Sequence, residues 1–170
     1  MFLLANIKLF VMYKNIGPDQ ALQKIKQFCA YQERCHFETK EKLYSMGLFK
    51  LDVERILSTL IEENYLNEER YAQAFTGGHF RQKKWGRIKI VAALKQKRVS
   101  SYNIKRGIKE IDETAYINCL QQLCSTKWNL LKGQQHLQRT AKTTNFLLQK
   151  GYELPLIQQA IAKIKHIEKD

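Results

Sequence analysis

Only two prolines and eight glycines punctuate 170 residues, which leaves few turn signals and argues against a loop-rich fold. Cysteine is scarce and poorly spaced for cross-linking. Cys29, Cys35, Cys119 and Cys124 fall within expected helices, and no secretory signal precedes them, so a reducing, cytoplasmic setting is expected. Joined with His36 they still lack the short spacing of a zinc knuckle. Small buried thiols in helix cores are the better reading, and no metal is expected. His79, His136 and His166 stand apart, with no carboxylate or nucleophile in register, so catalytic residues, cofactors and enzyme activity are not expected. No apolar run is long enough to cross a bilayer. The start, MFLLANIKLFVMYKNIG, is apolar for only about a dozen residues and lacks both a basic leader and a small-residue cleavage site. Residues 1–17 are therefore set apart as an N-terminal extension, a short docking strand or helix. If translation begins at Met12, residues 1–11 are dispensable.

The most informative absence is local. Between Arg70 and Lys109 there are twelve Lys or Arg and no Asp or Glu. Net charge over the chain is +13, but its distribution says more than its total. Pro18 to Leu66 carries seven basic and eight acidic residues, Asn67 to Ile111 twelve and three, and Asp112 to Ile164 six and three. A one-signed block of this kind marks a docking place for something anionic: nucleic acid, an anionic lipid surface or an acidic groove on a partner protein. Charge alone does not choose among them.

What is abundant is Lys, Gln, Leu, Ile, Ala and Glu, a composition for helices joined by short connections. Pro18 and Asp19 open a first helix with Leu22, Ile25, Phe28 and Cys29 on one face. Apolar residues around Leu43 and Met46 mark a second, stopped by Gly47. Val53, Ile56, Leu57, Leu60 and Ile61 give a third. Asn67 is placed to cap the next helix, with Glu68 and Glu69 in its first turn and Tyr71, Ala72 and Phe75 on its buried face. Gly77 and Gly78 weaken that helix, so either it kinks there or it packs closely on a neighbour. A phosphate-cradling loop is the sharper alternative, but no strand precedes the pair and no Gly-Lys-Ser/Thr ending follows. Ile88, Val91 and Leu94 mark a short helix, and either Ser100 or Ser101 caps one carrying Ile104, Ile108 and Ile111. Asp112 caps a long helix with Tyr116, Leu120, Leu123 and Trp128 inward. Beyond the break at Gly133, Leu137, Ala141, Leu147 and Leu148 continue the pattern. Gly151 stops it, and Ile157, Ala160, Ile161 and Ile164 follow Pro155 in a last helix.

Three stretches overlay: EKLYSMGLFKLDVERIL, AALKQKRVSSYNIKRGI and NFLLQKGYELPLIQQAI. Their stops, Gly47, Arg98 and Gly151, lie 51 and 53 residues apart. The pattern predicts an all-α chain of three tandem three-helix repeats, 18–66, 67–111 and 112–164, with a tail at 165–170, stacked as an elongated, curved array.

With YLNEERYAQAF, KKWGRIKIVAALKQK and FLLQKGYELPLIQQAI in this order and spacing, the chain resembles the RecX family, regulators of the bacterial RecA recombinase. The resemblance runs from about Pro18 to Ile164. Arg98 stands where the family usually has a glycine stop, and Asn67 and Glu68 where an acidic pair is common. The resemblance implies a protein without enzyme activity that binds RecA filaments on DNA, bridges neighbouring subunits in the filament groove, and inhibits ATP hydrolysis and strand exchange. DNA repair by homologous recombination and the SOS response are the expected setting. The expected partners are the RecA filament and DNA, bound directly or through it, with no membrane and a monomeric chain. An independent basic helical DNA-binding module is the alternative.

The candidate contact residues are Arg81, Lys83, Lys84, Arg87, Lys89, Lys95, Lys97 and Arg98, with Lys105, Arg106 and Lys109 nearby. The bland reading is a solvated face that only aids solubility. The absence of neutralising acid favours the functional one. Charge reversal at Arg81, Lys84 and Arg87 is expected to abolish filament binding and leave the fold intact. Trp85, before Gly86 at a helix junction, is assigned to packing rather than to base stacking.

Overall fold

The first helix, α1 (Pro18–Tyr31), starts where sequence rules place it, with a proline in its first turn and Asp19 beside it. It belongs to a computed structural model that describes residues 16–167. The expectations for residues 1–15, including the Met12 start, lie outside the described residues, as does the end of the tail. Helix α2 (His36–Ser45) follows. Cys35 is not inside it, because its sulfur caps it by accepting the Glu38 amide at 3.5 Å. Gly47 (φ +86°) turns the chain, and α3 (Lys50–Glu62) completes the trio. Ala21, Ile25, Cys29, Leu43, Val53, Ile56, Leu57 and Leu60 form its core. Ile61, expected on the inner face, is exposed instead.

The second trio is α4 (Glu68–Lys83), α5 (Arg87–Gln96) and α6 (Ser101–Ile108). Helix α4 continues unbroken through Gly77 and Gly78. The close helix approach lies elsewhere, at Gly107 of α6, where a Cβ would come within 2.7 Å of the Ala72 carbonyl oxygen of α4. The Arg81 guanidinium folds back over Gly77, 2.7 Å from where that residue's Cβ would be. Ser100 caps α6 by accepting the Asn103 amide.

The third trio is α7 (Glu113–Leu130), α8 (His136–Lys150) and α9 (Leu154–Ile167). Asp112 caps α7, and Tyr116, Leu120, Cys124 and Trp128 turn inward at four-residue steps. Burial alone pushes the Cys124 thiol up to about 11. On α8 the buried face is Arg139, Thr143 and Leu147. Leu137 is 81% exposed, and Ala141 and Leu148 are exposed as well. An apolar count misses this face because two of its three members are polar. Arg139 is stable there because its guanidinium lies over Trp128 (4.2 Å) and its Nε donates to the Trp128 carbonyl at the C-terminal end of α7 (2.9 Å).

The three expected helix stops share one backbone conformation. Gly47, Arg98 and Gly151 all have positive φ. After α5, Val99 N–H donates to Leu94 O and Arg98 N–H to Lys95 O. After α8, Tyr152 N–H donates to Leu147 O and Gly151 N–H to Leu148 O. This is the same helix-ending motif, built once on arginine and once on glycine.

The chain divides into two compact units, Met1–Asn67 and Glu68–Asp170. The second unit holds two trios, joined backbone to backbone. Gly86 N–H donates to Lys150 O (2.8 Å) and Ile88 N–H to Gly151 O (3.0 Å), so the first amides of α5 sit on the last carbonyls of α8. A Cβ at Gly86 would overlap the Gly151 carbonyl. Among the described residues no helix is long and apolar enough to cross a membrane.

Candidate anion-binding surface

The acids of the second trio are all occupied within it. Glu68 accepts from the Ser100 amide (3.3 Å) and the Asn103 side chain (3.0 Å). Glu69 pairs with Arg106 (2.7 Å), and Glu110 accepts from Gln73 (3.2 Å). Only Arg106 of the candidate residues is drawn into these contacts. They tie the start of α4 to α6, so the acidic opening of α4 serves to hold the trio together and does not neutralise the cations further along.

Arg87 is also used internally. It pairs with Glu113, its guanidinium lies 4.1 Å over the Tyr116 ring, and its amide donates to Tyr116 Oη (3.1 Å). Tyr116 in turn donates to Glu153 (2.6 Å), and burial pushes its hydroxyl pKa well above the ordinary value. Burial works against the Arg87 charge, but the Glu113 contact and the surrounding groups more than offset it, so its pKa is raised. Reversing Arg87 would place two carboxylates together beside a buried tyrosine. The expectation of an unchanged fold is therefore kept for Arg81 and Lys84, which are exposed, and withdrawn for Arg87.

Lys83 and Lys89 gather around Trp85. Their ammonium groups lie 5.2 and 4.8 Å from its ring centre, and the His79 ring is 4.5 Å away. His79 stacks on Phe75 (3.9 Å), and its Nδ1 is 2.9 Å from the Phe75 carbonyl. A carbonyl only accepts, which puts the proton on Nδ1 and leaves Nε2 to accept from Lys83 (3.3 Å). Burial, followed by the Lys83 and Lys97 charges, lowers the His79 pKa. Lys89 also donates to Gln149 O, a carbonyl in the last turn of α8. Trp85 is half-buried, which agrees with packing, yet its ring carries two cations.

Arg81, Lys84, Lys95, Lys105 and Lys109 are exposed, and among the described residues none has a carboxylate partner. Lys84 (φ +54°) ends α4 in the left-handed region, as Arg98 (φ +57°) does after α5. Lys97 is half-buried and Arg98 exposed. Lys95, Lys105 and Lys109 are brought together across α5 and α6, in the lining of a groove that also includes Val91, Ile104 and Ile108. Sequence reasoning missed this groove. It marked α5 by Ile88, Val91 and Leu94, of which Leu94 is buried together with Ile90, whereas Val91 is half-buried and Ile88 is 54% exposed. Two apolar stripes on a ten-residue helix were the available signal, since one core needs only one of them. Among the described residues, no group of three His, Cys, Asp or Glu could hold a metal ion.

Comparison with known proteins bears on both trios of the second unit. The family model for the second three-helix domain of RecX matches residues 67–108, and the model for its third three-helix domain matches residues 115–161. A regulatory protein RecX from Clostridium perfringens (strain 13 / Type A) is 29% identical over 133 residues, 77% of this chain. The chain spans 62% of that relative's length. One from Chlorobium limicola is 27% identical over 150 residues, covering 87% of this chain and 91% of the relative. The crystal structure of RecX from Lactobacillus salivarius superposes with a TM-score of 0.79 at 18% identity, over 87% of this chain and 96% of that one. That likeness shows the fold.

Proposed function

Because the chain belongs to the RecX family, we propose that it is a non-enzymatic regulator that binds RecA–DNA filaments and lowers the recombinase's ATPase and strand exchange. In this reading it works as a monomer in the cytoplasm, during DNA repair. The observation that carries the surface assignment is the set of cations without carboxylate partners among the described residues, Arg81, Lys84, Lys95, Lys105 and Lys109, in a trio whose own acids are occupied. A filament on DNA offers closely spaced phosphates, and binding them releases condensed counterions. Such contacts position a protein without reading sequence, which suits a regulator that acts wherever filaments form. Lys83 and Lys89, held beside Trp85, extend the same charge along the start of α5.

The test is the DNA-dependent ATPase of RecA with this protein added below one molecule per recombinase subunit. Hydrolysis falls if one bound molecule bridges several subunits. No effect at one molecule per subunit overturns the proposal. Tight, salt-steep binding to naked DNA that is indifferent to the recombinase would instead identify an independent DNA-binding module.

A further inference from the structure

The groove between α5 and α6 has a different chemistry from the rest of the basic surface. Its volume is about 470 Å³. The half-buried Val91 of α5 and Ile108 of α6, with the buried Ile104, contribute aliphatic side chains to its lining, which the exposed Lys95, Lys105 and Lys109 share. The arrangement follows from helical spacing. Ile104, Lys105 and Ile108 recur at i, i+1 and i+4 on α6, with Lys109 at its C-cap. Val91 and Lys95 sit one turn apart on α5. Exposed Ile88 lies one turn before Val91 and prolongs the apolar line. A face built for phosphates alone would not place aliphatic groups between its cations, because a sugar-phosphate backbone gains nothing from covering them. A helix with an apolar stripe and carboxylates along its flanks satisfies both features at once.

We propose that this groove docks an acidic amphipathic helix of a partner protein, its apolar side chains entering beside Val91, Ile104 and Ile108 and its carboxylates pairing with Lys95, Lys105 and Lys109. The proposal assigns Lys95, Lys105 and Lys109 to a protein partner in place of phosphates, and leaves the recombinase assignment resting on Arg81 and Lys84, with Lys83 and Lys89. None of the three lysines has a carboxylate partner among the described residues, so the partner's acids displace no internal ion pair. The chain's own N-terminal stretch, apolar but carrying Lys8 and Lys14, has the wrong charge for this rim.

The experiment uses the full chain and a synthetic helix-forming peptide of about 15 residues, with leucines along one face and glutamates on both flanks. A peptide of the same composition, scrambled so that the leucines no longer share a face, is the control. Amide chemical shifts are followed through a titration. Saturable changes are expected around Val91, Ile104 and Ile108, with the scrambled peptide weaker by about tenfold. Reversing Lys95, Lys105 and Lys109 to Glu together should weaken the acidic peptide by at least about tenfold and create binding to a peptide with lysine flanks. That gain of binding shows that the variant is folded. The proposal is overturned by equal binding of the scrambled peptide, or by an acidic-peptide affinity unchanged in the triple variant. Displacement of the peptide by oligothymidylate, which would make the groove a nucleic-acid surface, also overturns it, as do the same shifts on raising protein concentration alone, which would indicate a second copy. No recombinase is present, so failure here leaves the filament proposal standing. Lost ATPase inhibition with retained peptide binding would count against the filament proposal alone.

Discussion

The first and second trios have the same three-helix plan but use charge in opposite ways. In α1–α3, seven bases face eight acids, and ion pairs join one helix to another: Lys26 with Glu63, and Lys40 with Glu54. In α4–α6, twelve bases face three acids, and each acid is committed to a helix start, a loop or a neighbouring helix. Since the apolar core of the first trio is built with no net positive charge, the excess in the second is not a requirement of the fold. Exposed ion pairs contribute little to stability, so neutralising partners could be absent from the second trio at small cost.

The sharpest way to break this comparison is matched charge reversal. Arg81→Glu with Lys84→Glu is expected to reduce inhibition of the recombinase ATPase by more than about tenfold with the melting temperature unchanged. Reversal of Lys24 and Lys42, exposed residues of the first trio, should change it by less than about twofold. Equal losses from the two pairs would mean that the surplus charge acts only through its total. The next largest effect is on stability. Gly86→Ala forces a methyl group into the Gly151 backbone and is expected to cost about 3 kcal/mol by chemical denaturation, as overpacking does. Arg87→Ala should cost about 2 kcal/mol, chiefly through the lost stacking on Tyr116. Lys40→Ala should leave the denaturation midpoint within error, because its pair with Glu54 is exposed. The smallest effect is at the second stop. Arg98→Gly should stabilise the chain by about 1 kcal/mol, because glycine adopts positive φ without strain.

Much of this was legible in the residues. Asp112 and Ser100 cap where short polar residues before apolar periods should. Arg98 was recognisable as a stop because it aligned with two glycines, and the backbone adopts the conformation that the alignment implies. What was hidden has a common cause: side chains whose role depends on a neighbour far along the chain. Arg139 reads as surface until Trp128 is beside it. Arg87 reads as one more cation until Glu113 and Tyr116 are in place. Ile88, Val91 and Leu94 mark a helix without telling which of them is covered, because hydrophobic periodicity records that a face is apolar, not what covers it.

The meeting of Gly86 with Gly151 has a consequence for dissection of the chain. The amides of Gly86 and Ile88 are satisfied by carbonyls more than sixty residues downstream, so the second trio does not contain all the groups that complete it. A fragment ending at Ile111 would turn those donors over to solvent and remove the backbone against which Gly86 packs. The family models match 67–108 and 115–161 separately, whereas the compact unit, Glu68–Asp170, spans both.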